Sequence, residues 1–249
     1  MVRSRLSTTD GSNRLCIFDL GDTLVEYAGV PLNWERHYPE ALAALAAQWG
    51  VRPTSSGIEA GTAVLRRHNT RLSPRVFEVS FDAICAELAE ALGASGCGGG
   101  LESARAFFGV FRRRLSAFAD AVPTLSQLRG RGCPIAVLTD VPYGMPRILV
   151  EGDLLETGLT GLVDRLLTSA EAGCRKPGPD GLLRLVTEAG VPPSHAMYVG
   201  NECKDIEAAR AAGITSVLLD RGNRAPGWGE DVRIRTLTEL LAPGALTTA

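Results

Sequence analysis

The sequence of 249 residues has few aromatic residues and almost no net charge. Aromatic residues make up 6% of the chain, and 26 basic residues stand against 28 acidic ones, which gives a formal charge of −2. Without a basic field, nucleic acid and anionic membrane surfaces are poor candidates for the main partner. The scarcity of aromatic residues also argues against a surface on which bases stack. We therefore expect neither nucleic acid nor a membrane as partner.

Long apolar runs and paired cysteines are also missing. No stretch approaches the roughly 18 uninterrupted apolar residues of a membrane helix. Residues 1–13 are polar and are predicted to be a disordered tail rather than a signal peptide. The six cysteines show neither a CxxC pair nor a zinc spacing, so no disulfide framework is expected. With 45% hydrophobic and 22% charged residues, the composition predicts a compact protein. The lack of a signal peptide and the scattered cysteines predict a cytoplasmic location.

Short apolar runs alternate with helical patterns in the second half of the sequence. Strands are predicted at 15–20, 134–138, 163–168, 196–199 and 216–219, and helices at 125–131, 146–154, 179–189 and 205–212. This alternation predicts right-handed βαβ units and an α/β fold with a parallel sheet covered on both faces. Such a sheet binds its ligands beyond the carboxyl ends of its strands.

A helical block separates the first predicted strand from the second. Helical spacing recurs at 38–49, 57–67, 80–92 and 101–119, with a glycine-rich loop at 93–100. We therefore expect a core made of residues 14–26 and 120–245, and a separate all-helical segment at 27–119.

Polar residues follow the ends of the predicted strands. Asp19 and Thr139 end the first two strands, Lys176 stands just before a helix, and Asp205 follows a strand and a glycine turn. A single Asp at a strand end is more often a turn or cap residue than a catalytic one. The Thr139 hydroxyl and neighbouring N–H groups could hold an anion. A nucleophile, a hydroxyl, a cation and an acid, each after a strand and in this order, form a specific constellation at one edge of the sheet.

Four segments carry a resemblance to a known family. Residues 18–24 (FDLGDTL), Leu138-Thr139, Lys176-Pro177 and residues 199–213 resemble the four motifs of the haloacid dehalogenase-like (HAD) hydrolases. The resemblance implies a Rossmann-like parallel sheet with strand order 3-2-1-4-5. It also implies that the helical segment is a C1 cap, inserted after the first strand as a lid over the active site.

The resemblance further implies a phosphatase mechanism and a metal cofactor. Asp19 would attack phosphorus and form an aspartyl-phosphate intermediate, which divides one difficult displacement into two easier ones. Mg²⁺, which prefers oxygen ligands, would be held by the Asp19 carboxylate, the Gly21 carbonyl, Asn201 and Asp205.

The same resemblance implies the residues that contact the substrate. Thr139 and the Asp140 N–H group would bind phosphoryl oxygens, and Lys176 would neutralise charge shared with the nucleophile. Gly21 and Asp22 would complete the contacts. The expected substrate is a small phosphorylated metabolite such as a sugar phosphate.

Two positions depart from the family pattern. Gly21 stands where most phosphatases of the family have an Asp that acts as general acid, and general acid catalysis is worth about 10²–10⁴ in rate. Asp22, one residue later, is not expected to replace that acid. Asn201 stands where the fourth motif usually begins with Asp, which predicts weaker metal binding unless Glu202 compensates.

These departures leave two alternatives open. A haloacid-type dehalogenase would use the same Asp19, because halide leaves without a proton; against it, Gly21-Asp22 and Thr139-Asp140 differ from the aromatic-Gly and Ser-Asn pairs of those enzymes. A catalytically impaired HAD fold retained as a binding module is the second alternative.

Residues 66–71 are predicted to be a solvated helix face, with contact to a second anionic group of the substrate as the alternative. The sequence predicts no oligomeric state.

Overall fold

A computed structural model describes residues 14–30, 33–112 and 114–243 of the chain. The predicted tail at 1–13 and the predicted end of the core at 245 lie outside the described residues. Within these ranges every helix is too short or too polar to span a bilayer.

A six-stranded parallel sheet forms the centre of the molecule, and a two-stranded antiparallel sheet lies apart from it. The parallel strands are β1 (Leu15–Phe18), β4 (Ile135–Thr139), β5 (Arg165–Thr168), β6 (Ala196–Gly200), β7 (Thr215–Leu219) and β8 (Val232–Ile234), and the antiparallel pair is β2 (Val25–Tyr27) with β3 (Leu115–Ala117). The large sheet has the order β5-β4-β1-β6-β7-β8. Numbered along the chain within this sheet alone, the order is 3-2-1-4-5-6. The predicted order 3-2-1-4-5 is therefore confirmed, with one further strand at an edge.

Helices lie between the strands and in one long insertion. They are α1 (Tyr38–Gln48), α2 (Ser55–His68), α3 (Phe81–Ala91), α4 (Leu101–Gly109), α5 (Ala121–Gly130), α6 (Arg147–Glu156), α7 (Ser169–Ala172), α8 (Asp180–Ala189) and α9 (Cys203–Ala211). Helices α1 to α4, between β2 and β3, are called the inserted helices below. The Thr54 hydroxyl caps α2 and the Ser80 hydroxyl caps α3, each by accepting a hydrogen bond from a free N–H group of the first turn.

The prediction of helix over 101–119 was wrong in its second half. Helix α4 ends at Gly109, and Leu115–Ala117 form β3, which pairs with β2. Pairing with β2 outweighs the helix propensity of this short segment, because propensity is a weak preference that tertiary contacts override. The insertion is therefore not entirely helical: β2 and β3 join its two ends.

Apolar side chains pack on both faces of the parallel sheet. Leu15 and Ile17 of β1 belong to a cluster that includes α8 and α9, whereas Cys16 and Phe18 belong to a second cluster. This alternation follows from the two-residue period of a strand. The second cluster continues into the inserted helices, where it includes Phe107 of α4.

Candidate active site

The carboxyl ends of β1, β4 and β6 meet at one edge of the sheet. Strand β1 lies between the other two, and Asp19 follows it directly, while Thr139 ends β4 and Gly200 ends β6. All three strands are buried along their whole length. The polar residues at their ends therefore meet where a parallel sheet binds ligands, as predicted.

Lys176 joins the two predicted carboxylates. Its Nζ lies 2.6 Å from Asp19 Oδ1 and 2.7 Å from Asp205 Oδ1, and it donates to Tyr198 Oη at 2.9 Å. An ammonium group has three donors, so these three acceptors use all of them. Because Lys176 is only 5% exposed, its charge depends on this set of partners.

Asp205 is held from two sides. Its Oδ1 accepts from Lys176, and its Oδ2 accepts from the N–H groups of Asn201 at 3.1 Å and Glu202 at 2.9 Å. Gly200 permits this approach, because an added Cβ there would lie 2.4 Å from the Asp205 Cβ. Asp205 is 1% exposed and shares the Lys176 ammonium with Asp19.

Thr23 lies between Asp19 and Asn201. Its hydroxyl is 3.4 Å from Asp19 Oδ2 and 3.2 Å from Asn201 Oδ1. A hydroxyl has one proton, so at least one of these two oxygens is left without that donor. Oxygens of this kind are the ligands that Mg²⁺ prefers, and Mg²⁺ keeps several waters beside one or two carboxylates.

The donor set at this edge contains few charged groups. The described residues contain no group of three or more His, Cys, Asp or Glu side chains suited to a metal ion. An ion beside Asp19 would therefore also take amide, main-chain or water oxygens. Such a site fits a hard divalent cation and does not fit a soft metal that requires sulfur or imidazole.

A cavity of about 190 Å³ opens beside Asp19. The predicted site residues that line it are Asp19, Gly21, Asp22, Thr139, Asp140 and Asn201, and the segment at the end of α2 adds His68, Asn69, Thr70 and Arg71. The other two predicted residues, Lys176 and Asp205, are buried and bonded as described above. All eight predicted positions therefore come together, six at the cavity and two behind it.

Asp22 also faces the cavity, in a turn with left-handed backbone. Its φ is 56°, and its N–H group donates to the Val25 carbonyl at 2.8 Å. Burial raises the pKa of Asp22, and the negative charge of Glu202 raises it further.

A chain of ion pairs lies along the wall of the cavity. Arg71 pairs with Glu202, and Lys204 Nζ lies 2.9 Å from Glu202 Oε2 and 3.1 Å from Asp140 Oδ2. Burial alone would raise the pKa of Glu202, but Lys204 and Arg71 lower it to about 2. These pairs join the end of the α2 segment to the start of α9.

The segment 66–71 contains residues in both of the predicted positions, the solvated helix face and the cavity. Arg66 and Arg67 form exposed pairs with Glu35 and Glu87, as expected of a solvated helix face. Arg71 instead lines the cavity, which is the alternative position, but its charge is paired with Glu202.

The charges of Asp19 and Lys176 depend on each other. Burial raises the pKa of Asp19 to about 7, with Lys176 acting in the opposite direction and Asp205 in the same direction. Burial would lower the pKa of Lys176, but Asp19 and Asp205 raise it well above its ordinary value. Lys176 is therefore a cation, and positive charge beside Asp19 favours the carboxylate form that a nucleophile needs.

Sequence analysis missed several residues of this site. Tyr198, whose Oη meets Lys176, lies inside an apolar strand and has the pattern of a core residue. Thr23 lies within the quoted segment 18–24 but received no role. One signal was available for Lys204: the chain has only two lysines, Lys176 and Lys204, and both are at this site.

Comparisons with known proteins concern the family and the fold of the chain. A family model described as haloacid dehalogenase-like hydrolase matches residues 13–213. Phosphoserine phosphatase of Thermus thermophilus is 36% identical over 148 residues, which are 58% of this chain and 57% of that protein. The chain spans about half the length of the curated relatives it matches.

Two of the similar solved structures each cover more than nine-tenths of this chain. A HAD phosphatase from Thermococcus onnurineus has a TM-score of 0.62 and 23% identity over 91% of this chain and 95% of that one. A 2-haloacid dehalogenase from Pseudomonas syringae pv. Tomato DC3000 has a TM-score of 0.61 and 24% identity over 92% and 96%. At these identities the likeness shows the fold alone, because phosphatase and dehalogenase share it.

Proposed function

The chain belongs to the haloacid dehalogenase-like hydrolases, and from this membership we propose that it hydrolyses a phosphomonoester of a small molecule with Asp19 as the nucleophile. One observation carries the proposal: Asp19 faces the cavity while its Oδ1 lies 2.6 Å from the buried Lys176 ammonium. That contact orients one oxygen of the carboxylate and leaves the other directed away from the cation. The likeness to a phosphoserine phosphatase supports the same reaction class.

In the proposed reaction Asp19 forms a covalent intermediate. Its carboxylate oxygen bonds to phosphorus while the bond from phosphorus to the leaving oxygen breaks, and that oxygen keeps the electron pair and takes a proton from water. Water then attacks phosphorus, which frees the carboxylate and releases inorganic phosphate. Thr139 and the Asp140 N–H group are proposed to bind the phosphoryl oxygens, and Lys176, which contacts Asp19, to neutralise charge shared between the phosphate and the nucleophile.

The proposed cofactor is Mg²⁺, which when bound neutralises phosphate charge. Asp19, the Gly21 carbonyl and Asn201 would hold it, because their positions border the cavity. Asp205 completes the predicted ligand set, and it would give up a hydrogen bond from Lys176 or from the Glu202 N–H group to do so.

We assign the predicted cap role to segment 27–119 and the core role to residues 14–26 and 120–245. The cavity lies between these two parts, since His68, Asn69 and Arg71 line it from one side and Asp19 from the other part of the chain. A cytoplasmic location remains a prediction from the sequence.

A haloacid-type dehalogenase is the second candidate. Gly21 supplies no proton to a leaving group, and halide needs none. Asn201 also brings no charge to a metal. The same Asp19 would then attack carbon rather than phosphorus.

The two candidates differ in product and in metal dependence. We expect phosphate release from phosphomonoesters that requires Mg²⁺ and stops with EDTA. Asp19→Asn should lower this activity by about 10³-fold or more, as loss of a nucleophile does elsewhere. Glu102→Gln, at an exposed ion pair, is the control and should retain full activity.

Three outcomes would contradict the proposal. Halide release from a 2-haloacid that EDTA does not affect would identify a dehalogenase. Phosphate release that Asp19→Asn leaves unchanged would remove Asp19 from the mechanism. No turnover of either substrate class would favour the remaining alternative, a binding module.

A further inference from the structure

A large part of the cavity wall is apolar and aromatic. Its members are Val30, Trp34, Phe111, Tyr143, Met145 and Val150. Trp34 stacks on Phe111 with ring centroids 3.9 Å apart and planes inclined by 12°. The hydroxyl of Tyr143 lies 2.5 Å from that of Tyr38, so its polar end already has a partner. This wall offers rings and alkyl groups to a ligand.

The cations that line the cavity are bound to carboxylates. Among the cavity-lining residues that the structure describes, each Arg and Lys has such a partner: Arg71 with Glu202, Arg112 with Asp153, Arg175 with Glu78, and Lys204 with Asp140 and Glu202. A second anionic group on the substrate would compete with one of these carboxylates. The displaced carboxylate would then lie at the cavity without its counter-charge, which is unfavourable.

The position that would serve the leaving oxygen, Gly21, carries no acid, and Asp22, the cavity-lining carboxyl outside the described ion pairs, stands one residue later. Gly21 has no side chain, and an added Cβ there would meet the ring of Tyr27 at 3.9 Å. The hydroxyl of Tyr27 donates to Asp153 at 2.7 Å. Asp140 and Glu202 are both ion-paired with Lys204. Without a proton donor, a leaving oxygen departs as an anion, so a weakly basic oxygen is favoured.

We propose that the substrate is an aryl phosphomonoester, in which the phosphate is esterified to a phenol-like oxygen and no second anionic group is present. This inference rests on the proposed function and names its substrate class. A ring fits the apolar wall, and the absence of a second anion fits the paired cations. A phenol oxygen has a pKa of about 10, against about 16 for water, so it leaves without a proton far more readily than an alkyl oxygen.

The first test separates leaving-group ability from shape. Phenyl phosphate and cyclohexyl phosphate have rings of similar size but differ in the basicity of the leaving oxygen. We expect kcat/KM for phenyl phosphate to be higher by about 10²-fold or more. Gly21→Asp should reduce that ratio by accelerating cyclohexyl phosphate, because it adds a carboxylic acid where the cavity has room for a Cβ.

A ratio near one would overturn the inference. So would a large loss of cyclohexyl phosphate hydrolysis in Asp22→Asn with phenyl phosphate hydrolysis retained, because Asp22 would then be the missing acid. In both cases phosphate would still be released, and the proposed function would stand.

The second test examines whether the apolar wall of the cavity contacts the ring of the substrate. Trp34→Ala should lower kcat/KM for phenyl phosphate by about tenfold, the value of a good aromatic contact, and leave acetyl phosphate within about twofold. Acetyl phosphate has a weakly basic leaving group but no ring. Trp34→Phe should retain most of the phenyl phosphate activity. Trp228→Ala, outside the cavity, should alter neither substrate.

O-phosphoserine carries a second anionic group, so it tests whether the paired cations of the cavity disfavour such a substrate. We expect it to be a poorer substrate than phenyl phosphate. If it is hydrolysed faster, the inference is wrong and the proposed function is supported. If none of the four compounds releases phosphate, the proposed function itself is wrong.

Discussion

Lys176 is the residue on which the charges of the site depend. It gives its three N–H donors to Asp19, Asp205 and Tyr198, and its side chain is 2% exposed. The two carboxylates are buried and share this one cation. Removing a single partner from a buried set of charges is costly because the remaining charges stay without compensation.

Lys176→Met should therefore lower the free energy of unfolding by about 3–5 kcal/mol at neutral pH. Lys204→Met is a matched control, since Lys204 is the other lysine of the chain. Its side chain is 26% exposed, and loss of its ion pairs should cost about 1 kcal/mol or less. Urea denaturation of both variants measures the difference. Equal losses would contradict the role of Lys176 as the shared counter-charge.

Part of the site could be predicted from the sequence, because some of its residues lie at the ends of predicted strands. Asp19 and Thr139 each follow an apolar run, so the sheet edge to which they belong could be inferred. Tyr198 could not be found in this way, because it lies inside a strand and only the pairing of β6 with β1 brings its hydroxyl to Lys176. The pair of Arg71 and Glu202 joins residues 131 positions apart, and no local pattern predicts such a contact.

At the scale of elements, the longer strands and helices were predictable and the shortest strands were not. Strands β1, β4 and β6 are buried apolar runs. Strands β3 and β8 have three residues each, and neither has a continuous buried run. They form because a neighbouring strand offers hydrogen bonds, and a single sequence does not contain that information.

The carboxylate of Asp120, just before α5, accepts hydrogen bonds from other parts of the chain. Asp120 accepts two hydrogen bonds from Arg221, at 2.8 and 2.9 Å, and one from the Leu237 N–H group at 2.8 Å. Arg221 also donates to the Thr23 carbonyl and lies over the ring of Phe118. This cluster fixes the chain after Asp19 to the C-terminal part of the molecule.

Asp120→Asn should lower the free energy of unfolding by about 1.5–3 kcal/mol at pH 7, the range for hydrogen bonds to charged groups. Burial alone would raise the pKa of Asp120, but Arg221 and the Leu237 N–H group lower it below its ordinary value. A lowered pKa stabilises the folded state at pH values above the ordinary carboxyl pKa of about 4, and this contribution is lost as the pH falls through the lowered value.

Denaturation of wild type and Asp120→Asn across the acid range measures this dependence. The difference between them should be largest near neutral pH and should shrink below about pH 4. Glu102→Gln removes an exposed pair and should change stability by about 1 kcal/mol or less at any pH. A difference between wild type and Asp120→Asn that does not vary with pH would exclude the charge of Asp120 as its cause.

At the scale of the whole molecule, the sheet and the inserted helices share one hydrophobic cluster. It includes Phe18 of β1, Leu42 of α1, Phe107 of α4 and Leu149 of α6. If the inserted helices unfolded alone, apolar side chains that they bury in this shared cluster would be exposed to water. Since burial of apolar surface is the main stabilising contribution, the two parts are expected to unfold together.

The three tryptophans allow this expectation to be tested. Trp34 and Trp49 belong to the segment 27–119, and Trp228 belongs to the core. In Trp228→Phe, fluorescence reports on the inserted segment; in the double variant Trp34→Phe/Trp49→Phe, it reports on the core. Within each variant we expect the fluorescence midpoint in urea to coincide with that of far-UV circular dichroism, as in a two-state transition. An earlier fluorescence transition in Trp228→Phe alone would show that the inserted helices unfold independently of the sheet.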